Sequence, residues 1–220
     1  MILAAGRGER LRPLTDSIPK PLVEVAGQTL LGRHLQNLAR AGFTSAVVNV
    51  SHLAQKIMSH FGDGSRTGMR IDWSQEAEPL ETAGGIAQAR ALLGTGPFLL
   101  VNADIWCDYE FSQLRSFDLG AHLSHLVLVP NPPQHPAGDF TLASGIVGNA
   151  PSPRYTYAGI AVISPQLVAG VHAGSKAQLA PLWRAAAERG AVTGELYEGH
   201  WNDVGTPERL AALATRLKEP

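Results

Sequence analysis

The sequence predicts an α/β chain: a covered, largely parallel sheet with helices between its strands in the first half, and a strand-and-hairpin extension in the second. Three observations predict it. Short aliphatic or β-branched runs alternate with segments of helical period as far as Asp108. Those runs are largely apolar on both faces, as strands covered by helices require. Beyond Asp108 the alternation gives way to strand-like runs separated by turn-rich joints.

Taken in order, Ile2 to Ala5 reads as a strand, Leu31, Leu35 and Leu38 as one helix face, and Ala46 to Val50 as the next strand. Ile57 and Phe61 mark a short helix, Arg70 to Ser74 a strand, Gly85 to Leu93 a helix and Pro97 to Val101 a strand. In the second half, Leu123 to Val129, Phe140 to Val147 and Tyr155 to Ile163 are strand-like, with Asn131-Pro132-Pro133 as one joint. Helices follow near Leu179 to Arg189 and Pro207 to Leu217. The latter opens with Thr206 as N-cap and proline at the first helical position. With 220 residues the chain buries one sizeable core, so a single domain over 1–220 is expected. No repeat or low-complexity tract interrupts it.

Charge and cysteine usage narrow the function classes. A net charge of -1 with 17% charged residues leaves no footprint for polymeric nucleic acid or an anionic membrane, while small anionic ligands stay compatible. The longest apolar runs, such as Phe98 to Val101 and Ile160 to Ile163, fall far short of the roughly 20 residues that span a bilayer. Cys107 is the single cysteine and forms no internal disulfide. The opening Met1-Ile2-Leu3-Ala4-Ala5-Gly6 has neither a basic segment nor a signal-like apolar region, so the chain reads as cytoplasmic. No feature specifies an oligomeric state.

The most informative stretch is Leu3-Ala4-Ala5-Gly6-Arg7-Gly8-Glu9-Arg10-Leu11-Arg12-Pro13-Leu14-Thr15, followed by Pro19-Lys20-Pro21-Leu22. A strand runs directly into a glycine loop. Gly6 and Gly8 let main-chain N–H groups approach phosphate oxygens without a Cβ in the way, and Arg10 with Lys20 neutralises a triphosphate. A Walker A loop needs Gly-Lys-Ser/Thr at its end, and the dinucleotide fingerprint needs a small residue where Leu11 stands, so neither fits.

These residues resemble the signature of the sugar nucleotidyltransferase family, which includes glucose-1-phosphate thymidylyltransferases and mannose-1-phosphate guanylyltransferases. The resemblance implies a Rossmann-like three-layer mixed sheet, the nucleotidyltransferase fold, with an antiparallel sugar-binding extension. It implies a nucleotide-binding part over 1–108 and a sugar-binding part over 109–220 that carries a second metal ligand. It also puts Ala5, Gly6, Gly8 and Arg10 in the triphosphate loop and Lys20 beside the α- and β-phosphates, with Arg10 and Lys20 as the catalytic cations.

Polar residues that follow strands complete the expected site, because ligands collect at strand carboxyl ends in such sheets. Asp104, in Asn102-Ala103-Asp104, is the first expected Mg²⁺ ligand, since Mg²⁺ prefers oxygen donors and takes others from substrate phosphates. Cys107 reads as a small buried hydrophobe and Asp108 as a supporting or helix-capping residue. His200-Trp201-Asn202-Asp203-Val204-Gly205-Thr206-Pro207 resembles the family's second metal position, with Asp203 as the ligand. The loop from Gln75 to Gly85 resembles the family's base-reading loop, which puts Glu76 at the base edge and Thr82 and Gly84 near the base, ribose or sugar. Asn102, Gly138, Asp139, Tyr157, Gly159 and Lys176 line up with family positions near the sugar or its phosphate. The isolated histidines His52 and His125 read as structural.

Asn49 to Leu53, Leu80 to Ile86, Gly138-Asp139-Phe140, Tyr157 to Ile160 and Gly199-His200-Trp201 narrow the resemblance to the short N-acetylmuramate-1-phosphate uridylyltransferases of peptidoglycan recycling, with Ala83 and Ala103 as departures. It implies that UTP and a sugar 1-phosphate give a UDP-sugar and pyrophosphate. A carboxylate at Glu76 accepts equally from uracil N3–H or from guanine N1–H and N2–H, so a mannose- or heptose-1-phosphate guanylyltransferase stays open. So does a non-catalytic nucleotide-sugar sensor, although the joint presence of Arg10, Lys20, Asp104 and Asp203 argues against it.

Overall fold

The computed structural model describes residues 1–217. It has a mixed α/β fold, and the chain divides into two compact units. The first is Met1–Pro79, Asn102–Arg115 and the chain from His200 onward; the second is Leu80–Val101 with Ser116–Gly199.

In the first unit the strands Ile2–Leu3, Ser45–Val50 and Arg70–Gln75 are parallel, with Ile2 opposite Val48 and Val48 opposite Trp73. Ile2, Val48 and Val50 are fully buried, which explains the absence of an alternating pattern in these runs. The connecting helix Leu30–Arg40 is capped by Thr29, whose hydroxyl accepts from the Gly32 N–H, and it buries Leu31, Leu35 and Leu38 on one face. Helix Ala54–Phe61 does the same with Ala54, Ile57 and Phe61. A tight hairpin joins Glu24–Val25 to Gln28–Thr29 through Ala26 and Gly27, both at positive φ.

Two features of this unit bring distant sequence together. Ile105–Cys107 and Trp201–Asp203 form a two-stranded antiparallel ladder. Helix Pro207–Arg216 then packs Leu213 with Val23, Val25, Leu30, Trp106 and Val204 in one buried cluster. Thr206 is the N-cap, accepting from the Arg209 N–H at 3.4 Å, and Pro207 follows it as the sequence predicts.

Six strands, all in the second unit but for Asn102, run in the order Phe98–Asn102, Thr156–Ile163, Ser124–Val129, Val192–Leu196, Ile146–Gly148, Thr141–Ala143. Thr156–Ile163 is antiparallel to both neighbours, whereas Val192–Leu196 is parallel to Ser124–Val129. All six residues of Ser124–Val129 are buried. Register shifts between Tyr157 and Ala161, and Gly159 lies in that bulge at φ 81°.

Local chemistry modifies two expected elements. The run from Phe140 to Val147 is two short strands, because Ser144 and Gly145 both take positive φ and fold it into a hairpin. The helix expected from Gly85 begins earlier, at Glu81, and breaks at Ala89 into Glu81–Gln88 and Arg90–Leu93. Val192–Leu196 is a further strand, one the sequence does not announce because Gly194 and Glu195 are poor strand formers and the regularity comes from pairing with Ser124–Val129.

Candidate active site

The glycine loop leaves the Ile2–Leu3 strand at Ala4, whose N–H donates to the Asn49 side chain at 2.8 Å. Its two glycines serve different ends. A Cβ on Gly6 meets nothing within 4 Å, so that backbone is open to a ligand. Gly8 instead sits at φ 66°, and a Cβ there would lie 2.9 Å from Thr15 Cγ2 and 3.2 Å from Lys20 Cβ. Its carbonyl accepts from the Thr15 hydroxyl at 2.8 Å and from the Leu11 N–H at 2.9 Å. Gly8 is therefore required by the turn that folds Lys20 back beside the loop. Arg10, two residues on, is exposed.

Lys20 is the residue this turn positions. Its Nζ donates to Asp104 Oδ2 at 2.7 Å, and its side chain is 11% exposed against 38% for Asp104. Asp104 comes from the segment after the Phe98–Asn102 strand, held beside the loop by the Ala103 N–H on the Leu3 carbonyl at 3.0 Å. Asn102 ends that strand.

Asp203 reaches the same neighbourhood through the two-stranded ladder. It is paired with Ile105, and the Val204 N–H donates to the Asp104 carbonyl at 2.8 Å, so the backbones of the two aspartates lie side by side at the end of the ladder. Asp203 carries its own cation: Arg209 Nη1 donates to both carboxylate oxygens, at 2.7 and 2.8 Å. Asp108 seals the far end of the ladder, accepting from the His200 N–H at 2.9 Å and donating its own N–H to the His200 carbonyl. That is the supporting role among the two expected for it; the N-cap of the next helical turn, Phe111–Leu114, is Glu110. Cys107 is buried and its thiol is pushed up to about 11 by desolvation, an inert hydrophobe as expected.

Asp104 and Asp203 are hard oxygen donors, the type Mg²⁺ selects. Among the described residues no group of three or more His, Cys, Asp or Glu gathers to hold a metal. A divalent ion at this pair would therefore draw its remaining ligands from substrate and water, as Mg²⁺ does at phosphate sites. The donor set fits that ion.

Glu76 follows the Arg70–Gln75 strand and is buried, with Oε1 accepting from Asn49 Nδ2 at 2.7 Å. Asn49 thus joins the start of the glycine loop to Glu76. Sequence reasoning did not make Asn49 a site residue. A buried asparagine one residue before the end of a parallel strand was the available signal. Beneath the ladder, His34 Nε2 donates to the Ile105 carbonyl at 2.8 Å, which fixes the neutral Nε2–H tautomer. Burial lowers its pKa to about 4.

The remaining expected residues belong to the second unit. The Thr82 hydroxyl accepts from the Leu179 N–H at 2.9 Å. The Ala83 and Gly84 N–H groups converge on the Ala177 carbonyl at 2.9 and 3.1 Å, and a Cβ on Gly84 would strike the Ser175 carbonyl. Thr82 and Gly84 thereby pin the segment that carries Lys176. Asp139 accepts from His135 Nε2 at 3.0 Å and from the Tyr157 N–H at 2.8 Å. Gly138, at φ 61°, lies where a Cβ would meet Asn131 Oδ1 at 2.7 Å. Tyr157 stacks edge-on against Trp183, and its buried hydroxyl has no hydrogen-bond partner among the described residues. Gly159 occupies the bulge.

The family model described as nucleotidyl transferase matches residues 1–144. The chain belongs to that family. It is 47% identical over 96% of its length to an N-acetylmuramate alpha-1-phosphate uridylyltransferase of Neisseria meningitidis, covering 94% of that protein. It is 36% identical over its whole length to the protein of the same name from Caulobacter vibrioides, covering 96% of it. In fold it superposes on a putative glucose-1-phosphate thymidylyltransferase from Bacillus anthracis with a TM-score of 0.87, at 16% identity and covering 100% of this chain and 94% of that one. In this nucleotidyl transferase the family match spans the glycine loop, Lys20, Asn49, Glu76 and Asp104, and stops short of Asp203 and Arg209.

Proposed function

We propose that this nucleotidyltransferase joins UTP to N-acetylmuramate 1-phosphate, giving the UDP-sugar and pyrophosphate, in the cytoplasm and in the service of peptidoglycan recycling. The observation that carries the reading is the Lys20–Asp104 ion pair beside an open glycine loop, with Asp203 brought alongside Asp104 by the backbone of the two-stranded ladder. The names of the Neisseria and Caulobacter relatives support the choice of base and sugar. No helix among the described residues is long and apolar enough to cross a membrane.

In the proposed reaction a sugar 1-phosphate oxygen attacks the α-phosphorus of UTP. A new P–O bond forms as the bond to the bridging oxygen breaks, and pyrophosphate leaves with that electron pair. The nucleophile is already an anion, so the chain has no proton to remove, in keeping with the absence of a nucleophile-and-base pair from the expected site. Catalysis reduces to positioning and charge neutralisation. The Gly6 and Gly8 region supplies main-chain donors, Arg10 and Lys20 supply fixed positive charge on the phosphates, and Glu76 takes the N–H edge of the base. Asp104 and Asp203 would hold Mg²⁺, which when bound neutralises developing charge on the phosphate oxygens. Asn102, Gly138, Asp139, Tyr157, Gly159 and Lys176 are proposed for the sugar and its phosphate, and Thr82 and Gly84 act by holding the Lys176 segment.

The test is a matrix of nucleoside triphosphates against sugar 1-phosphates with pyrophosphate release as readout. UTP with N-acetylmuramate 1-phosphate should turn over fastest. A faster reaction with GTP and a hexose or heptose 1-phosphate would reassign the substrate, and silence across the matrix would favour a sensor.

A further inference from the structure

Arg209 stands where helix physics disfavours a cation. It lies in the first turn of Pro207–Arg216, at the positive end of the helix dipole. Instead of extending into solvent, its side chain turns back over Gly205 and is 16% exposed. One nitrogen, Nη1, bridges both oxygens of Asp203. Gly205 makes the room: a Cβ there would fall on the Arg209 guanidinium and would lie 3.2 Å from Arg10 Nη2. Two guanidinium groups thus converge over one glycine, one from the triphosphate loop and one already committed to an acid. Like charges gathered this way repel, and an arriving polyanion relieves that repulsion.

Asp104 is held in parallel fashion by Lys20. Each acid proposed to take the divalent ion therefore carries a cation of the chain's own. A metal ion binding Asp203 competes with Arg209 for the same carboxylate oxygens.

Building on the reading of Asp203 as a metal ligand, we infer that Arg209 is an exchangeable counter-cation. It occupies the Asp203 carboxylate in the nucleotide-free protein and discourages metal binding there. When triphosphate arrives with its metal, Arg209 passes to the phosphate oxygens beside Arg10. Arg209 is in this way a nucleotide-binding residue, and it couples metal entry to nucleotide entry. An ordinary helix-pinning salt bridge would couple nothing.

The experiment titrates Mn²⁺, read by electron paramagnetic resonance, into the full-length protein with and without UTP. It compares wild type with Arg209→Gln, which removes the charge, and Gly205→Ala, which keeps the charge but crowds it off Asp203. Wild type should bind Mn²⁺ weakly alone and tightly with UTP. Both variants should bind Mn²⁺ without nucleotide more tightly, by roughly tenfold if Arg209 holds the carboxylate about nine-tenths of the time. Arg209→Gln should also weaken UTP binding. If both folded variants match wild type in nucleotide-free Mn²⁺ affinity, the counter-cation role is overturned. Asp203→Ala separates the two ideas: if it binds Mn²⁺ with UTP as wild type does, the metal-ligand reading itself fails.

Discussion

Lys20 and Asp104, 84 residues apart in the chain, meet in a 2.7 Å ion pair whose lysine is almost wholly shielded from solvent. The pair fixes a cation at the mouth of the glycine loop, between Pro19 and Pro21, which restrain the backbone on either side. Removing that cation by Lys20→Ala should lower kcat on the order of 100-fold, the scale of losing one preorganised electrostatic contact. Stability should change by about 1 kcal/mol or less, since Asp104 remains open to water. Steady-state kinetics at saturating substrates, with denaturant unfolding as a control, checks both, and full kcat in the variant would remove Lys20 from the catalytic set.

Asp104 and Asp203 lie side by side along the backbone at the end of the ladder, and if they share one ion their loss should be strongly non-additive. Asp104→Ala and Asp203→Ala should each abolish most activity, and the double variant should be little worse than either. Chelator should stop turnover without unfolding the protein, because the ion is held partly by substrate phosphates. Pyrophosphate release that persists in excess chelator would sink the shared-metal account.

Glu76 is buried and tied to Asn49, so its carboxylate is held in one orientation. A carboxylate accepts but does not donate, which suits the N–H edge of uracil and opposes cytosine N3. UTP should therefore exceed CTP in kcat/KM by a wide margin. Asn49→Leu, which takes the partner from the Ala4 N–H and one hydrogen bond from Glu76, should narrow that margin and cost about 1–3 kcal/mol of stability. Equal kcat/KM for the two triphosphates in wild type would mean that Glu76 does not face the base.

His34 gives the fold a pH dependence. Its folded pKa, depressed by burial from 6.5 to about 4, means that the unfolded chain takes up the proton first as pH falls. The stability it contributes is complete above pH 6.5 and is lost as pH falls toward 4, to a total on the order of 3 kcal/mol. Burial lowers His125 too, so it acts in the same direction. His34→Gln, whose amide still donates to the Ile105 carbonyl but does not titrate, should flatten the pH profile of unfolding free energy across this window. A slope identical to wild type would show that His34 is not the group responsible.

What the sequence determined by itself is local. The glycine loop after a strand, the Leu31, Leu35 and Leu38 helix face, the Thr206-Pro207 helix start and the buried apolar strands were all legible. Each is written in a few consecutive residues, through turn chemistry, capping or periodicity. Tertiary structure decided what those pieces meet. Gly8 and Gly84 are glycines for close packing as well as for any ligand, which no local pattern reveals. Lys20 on Asp104, Asn49 between Ala4 and Glu76, and Asp203 beside Asp104 all depend on strand register, and register is set by pairing between residues far apart in the chain. Arg209 illustrates the limit: its sequence position predicts an unfavourable cation at a helix start, and only the fold shows the carboxylate that it answers.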